Sequence, residues 1–155
     1  MKNLIFISII FAASVLNALA QTAKEANPAD VSSLEAIMKA VYDVISGDAD
    51  KPRDWDRFRS LFYKDARLIP SGKNAQTGVI SARALSAEDY VTLASPTMAK
   101  VGFYERELAR HVDQYGNIAL VFSTYHSFHK AADKEPFARG INRFQLLNDG
   151  NAGGS

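Results

Sequence analysis

FYERELARHVDQ (103–114), YGN (115–117), IALVFSTYHSFH (118–129), KAADKEP (130–136) and FARGINRFQLL (137–147) follow one another in the second half of the chain, and their reading decides the fold. Aromatic and β-branched side chains recur along three long runs, a composition suited to a pleated, half-buried surface. Gly116-Asn117 is a two-residue turn signal, and 130–136 is a longer polar connection. Three consecutive antiparallel strands are therefore predicted.

Upstream the periodicity changes. Ser32-Ser33-Leu34-Glu35 matches a capping box, and Leu34, Ile37, Met38, Val41 and Ile45 then recur at helical spacing until Gly47. After the loop 48–52, Trp55, Phe58, Leu61 and Phe62 predict a second helix ending near Tyr63. Short strands are predicted at Arg67–Pro70 and Val79–Leu85, separated by the turn-forming SGKNAQ (71–76), and Ser86-Ala87-Glu88-Asp89 opens a third helix running to about Met98. Helices first and sheet later predict an α+β domain whose three helices cover one face of a curved antiparallel sheet.

The chain has 155 residues, 47% hydrophobic and 23% charged, the profile of one globular domain. Lys2 precedes the apolar run Leu4–Leu16, and Ala18-Leu19-Ala20 is a small-x-small cleavage pattern. Residues 1–20 thus read as a cleavable signal peptide, which implies a periplasmic or secreted protein without a membrane partner after cleavage. Residues 21–30 read as a flexible leader, 31–150 as the domain and 151–155 as a disordered tail. Loss of Lys2 leaves 17 basic and 17 acidic residues. Without a one-sign stripe in the sequence, nucleic acid is not an expected partner. There are no cysteines, so the core must hold the fold without disulfides.

The order helix, helix, short strand pair, helix and long meander, carried by WDRFRSLFYKDARLIP (55–70), GNIALVFSTYHS (116–127) and PFARGINRFQLLNDG (136–150), resembles the cone-shaped superfamily of nuclear transport factor 2, ketosteroid isomerase and the SnoaL-like proteins. The resemblance covers Val31 to Gly150. It implies a pocket between sheet and helices, and one more strand after the turn at Asn148-Asp149-Gly150. The chain is expected to lack that strand through C-terminal truncation or supply by a partner.

Strand parity selects the candidates for chemistry. Glu105, Glu107 and His111 share one face if alternation is unbroken, and a turn at Gly116-Asn117 sets Glu107 opposite His126. Glu107 and His126 are then a candidate base and its orienter. Tyr42 is the counterpart, by neighbourhood, of the helix tyrosine that holds an oxyanion in ketosteroid isomerase. Trp55, Asp65, Tyr125, Arg139 and Asn142 are the ligand-binding candidates, Arg139 because an inward guanidinium would take a carboxylate or phosphate. Gly140 in mid-strand predicts a bulge or a close backbone approach. His126 and His129, three apart on a strand, point to opposite faces, so no metal site is expected. No cofactor is expected. The resulting expectation is an exported domain binding a small hydrophobic or amphipathic ligand. The alternatives are a cofactor-free isomerase, dehydratase or cyclase and a non-catalytic interaction module, with a homodimer through the sheet as a further partner.

Overall fold

A computed structural model describes residues 25–150; the signal peptide and tail expected at 1–20 and 151–155 lie outside the described residues. The fold is α+β, with helices α1 (Pro28–Val31), α2 (Leu34–Ile45), α3 (Trp55–Ser60) and α4 (Ala87–Val101). A two-stranded ribbon pairs β1 (Ser71–Lys73) with β2 (Ile80–Ala82), and a three-stranded antiparallel sheet has the order β3 (Tyr104–Tyr115), β4 (Ile118–Phe128), β5 (Ala138–Leu147).

Helix ends follow capping chemistry. The Ser33 hydroxyl accepts from the Ala36 amide, one position later than the expected box at Ser32. At α4 the box is complete: Ser86 caps the Asp89 amide while the Asp89 carboxylate takes the Ser86 amide. One helix more than expected forms where the leader was read. Pro28 occupies its first turn, and Asp30 receives two hydrogen bonds from Arg57 at 2.7 and 2.8 Å, tying the segment to α3. Gly47 lies outside α2 and pairs with Phe103. An added Cβ there would meet the Arg53 guanidinium at 2.8 Å.

The meander forms as read, with Gly116 at positive φ in the two-residue turn. The strand pair shifts, however: SGK (71–73), read as turn, is β1, while Leu68 and Leu85 pair below it as a single bridge. Burial is divided between two clusters. Val44, Ile45, Phe58, Val91 and Met98 form one between the helices, joined by Trp55, Tyr90 and Phe103. Met38, Tyr42 and Val121 form the other, where α2 meets the sheet with Tyr125, Phe144 and Leu146. Inner-face residues of β4 alternate accordingly, Ala119, Val121, Ser123 and Ser127 being buried.

Candidate functional site

One irregularity sets the site. The β3–β4 register shifts between Glu107 and Ala109, leaving Leu108 as an extra residue. Before it, Glu105 faces Ser127 and Glu107 faces Tyr125; after it, Arg110 faces Ser123. The bulge resets parity, so Arg110 joins Glu105 and Glu107 on the inner face and His111 leaves it. His126 pairs with Arg106, not Glu107, and points to the outer face. The expected Glu107–His126 pair is thereby corrected: the sequence count assumed an unbroken ladder. The bulge anticipated at Gly140 sits instead at Leu108, while Gly140 has the other anticipated role. A Cβ there would lie 2.5 Å from the Tyr125 hydroxyl, so its absence lets the ring lie over the strand.

On the inner face the polar groups form an ordered chain. The carboxylate of Glu107 can only accept, so Ser123 donates to it at 2.5 Å. With the serine proton committed, the Tyr42 hydroxyl donates to Ser123 at 2.7 Å. The Asn142 amide donates to Tyr42 at 3.4 Å and to Glu105 at 2.9 Å. Arg110 closes the chain by pairing with Glu107. Ser46 registers α2 on β3, donating to the Tyr42 carbonyl at 2.7 Å and accepting from the Glu105 amide at 3.1 Å.

The two carboxylates differ in their partners. Glu107 has a guanidinium. Glu105 has neutral donors, and burial raises its pKa from 4.5 to about 7 despite hydrogen bonds from Asn142 and Ser127 that favour the anion. Burial also raises the Tyr42 and Tyr125 hydroxyls, with the nearby Glu105 charge adding to the effect. Tyr90 is pushed up to about 12 by burial, then by Glu105 and Tyr125. Tyr90 packs on the helical cluster and Tyr125 on the sheet cluster. Glu105 therefore sits at the seam between the two cores.

The candidates from sequence divide cleanly. Glu107, Tyr42, Tyr125 and Asn142 converge on this seam. His126 and Arg139 pair with each other on the outer face. Trp55 packs edge-on against Phe58 at 5.7 Å and, with Lys51, Pro52 and Pro96, lines a groove of about 260 Å³. Asp65, at positive φ in an exposed loop, borders a second cleft of about 520 Å³ with Tyr63, Arg143 and Leu146. Neither cleft is lined by Glu105, Tyr42 or Asn142. Sequence reasoning passed over Glu105, Ser123 and Arg110 as site residues. Shared parity with Glu107 could have found Glu105; nothing local announces the bulge that brings in Arg110.

Chemically, the arrangement holds one carboxyl group able to change charge near neutrality and a second carboxylate paired with an arginine. Comparison with family models, with curated proteins and with solved structures finds no match for the chain.

Proposed function

We propose that the chain is a small-molecule-binding domain whose site is the seam between the helices and the inner face of the sheet, and that Glu105 exchanges a proton with the bound molecule. The observation that carries this reading is Glu105 itself, a half-buried carboxyl group supported by an amide and a hydroxyl rather than by a cation. A group poised near the ambient pH is effective in both directions of proton transfer. The aromatic and aliphatic walls, Tyr90, Tyr125, Phe103 and Phe144, suit a largely apolar ligand with one carbonyl or hydroxyl.

Within this reading Tyr42 is a positioning residue. Its proton is directed at Ser123, so it orients Asn142 rather than donating to an oxyanion. The order of elements supports kinship with the cone-shaped superfamily, and the sequence of residues 1–20 supports export.

The test is proton exchange into a small cyclic enone in deuterated buffer, followed by NMR. Exchange above the buffer rate, rising through a group titrating near pH 7 and lost in Glu105→Gln, is expected. Absence of both exchange and saturable enone binding would overturn the proposal. Saturable enone binding with no exchange above the buffer rate, or exchange that persists unchanged in Glu105→Gln, would leave a binding site without acid-base chemistry at Glu105.

A further inference from the structure

The near-neutral composition hides a separation of charge that the sheet creates. On β3 to β5 the acids Glu105 and Glu107 face inward, with Arg110 paired to Glu107 as the inward base. The outer face carries a cross-strand row of Arg106, His126 and Arg139, and a second row of His111 and Arg143 flanking Phe122. Among the described strand residues of that face the acid is Asp113, already engaged by His111 at 3.2 Å. Arg106 is held over the Phe128 ring at 4.3 Å and by the carbonyls of Ala131 and Asp133, contacts that leave its charge uncompensated. Arg139 and Arg143 have no ion pair or hydrogen bond among the described residues. Between these rows lies Ile141 (66% exposed), Phe122 sits within the second row, and Ile118 and Leu147 are exposed beyond it toward the Gly116-Asn117 turn.

We propose that this outer face docks on an anionic lipid surface, the arginines meeting head-group phosphates while Ile141 and Phe122 enter the acyl boundary. Three considerations select that partner. A second copy of the chain would bring arginine rows toward arginine rows. Single-stranded nucleic acid is held by stacking on rings; Phe122 and Tyr115 are exposed on this face, but the exposed group seated between the two basic rows is the aliphatic Ile141. Size is the third: three strands about 4.8 Å apart and about 35 Å long make a face of roughly 500 Å², below the roughly 800 Å² per partner of a standard protein interface. A bilayer needs no closed interface, and each surface arginine strengthens anionic-membrane attachment about fivefold.

The experiment is co-sedimentation of the chain with phosphatidylcholine vesicles, with and without phosphatidylglycerol, at low and high salt. Binding that requires the anionic lipid and weakens with salt is expected. Arg139→Gln with Arg143→Gln should weaken it about 25-fold, and Ile141→Ser should weaken it further. The same charge removed from the ribbon, Lys73→Gln with Arg83→Gln, should change it little. All these positions are exposed, and unchanged circular dichroism would confirm folding. No binding to anionic vesicles, an equal loss in the ribbon variant, preferential binding of a single-stranded oligonucleotide, or dimerisation abolished by Ile141→Ser would each overturn the proposal.

Discussion

Glu105 and Glu107 are two residues apart on one strand, face the same way and meet different chemistry. Arg110 lies beside Glu107, whereas Glu105 is supported by Asn142 and Ser127 without a cation. The pKa rise at Glu105 makes folding pH-dependent. Below about pH 4.5 the group is protonated folded or unfolded, and its burial carries no ionisation penalty. As pH rises, the unfolded chain ionises first, so stability falls until the folded group ionises near pH 7. The interval of about 2.5 units, at about 1.4 kcal/mol each, sets an upper bound of about 3.5 kcal/mol. Glu105→Gln should therefore be more stable than wild type at pH 8 by about 2–3 kcal/mol, with the advantage vanishing near pH 4.5. Urea denaturation at the two pH values measures this, and a pH-independent difference would contradict it. The face shared by Glu105 and Glu107 was readable from alternation. Their different environments were not, because Asn142 and Arg110 reach them only through cross-strand pairing.

At the scale of elements, local signals placed helices and strands well and their junctions less well. The runs in α2 and α4 were legible because helical spacing and capping act within a few residues. The bulge at Leu108 was not, since any residue can be the extra one and the partner strand decides which. Arg53 illustrates a junction invisible to periodicity. Its guanidinium is buried where α2 leads into α3 and donates to four carbonyls: Ile45 at 3.0 Å, Gly47 at 2.6 Å, Asp48 at 3.1 Å and Lys51 at 2.6 Å. A helix end leaves carbonyls without intrahelical partners; Ile45 is the last residue of α2, and the other three acceptors lie in the loop that follows it. Arg53→Met should cost about 3 kcal/mol or more, because removing the donor strands several carbonyls. Arg53→Lys should recover only part, having no planar fork. Thermal melts of both variants test this; a loss below about 1 kcal/mol in Arg53→Met would show that water replaces the clamp.

Across the whole molecule, stability should be uneven. β4 has a neighbour on each side and contributes the fully buried Val121 and Ser123, whereas every residue of β1 and β2 is exposed. Native-state hydrogen exchange should find the amides of Val121 and Ser123 opening only with global unfolding. Those of Ser71–Lys73 and Ile80–Ala82 should exchange orders of magnitude faster. Equal protection of the two would mean the ribbon is packed against something beyond the described residues.

The sequence by itself determined the α+β class, the three-stranded meander with its Gly116-Asn117 turn, and the amphipathic faces that seek a common core. These follow from side-chain period, turn chemistry and capping, which act over short stretches of chain. Only the tertiary structure decided which carboxylate lies without a cation, that His126 and Arg139 face outward, and that a chain of balanced charge gathers most of its strand bases on one side of a sheet. Each of those depends on one inserted residue in a strand and on the partner across it, and pairing between distant segments is settled by packing rather than by local preference.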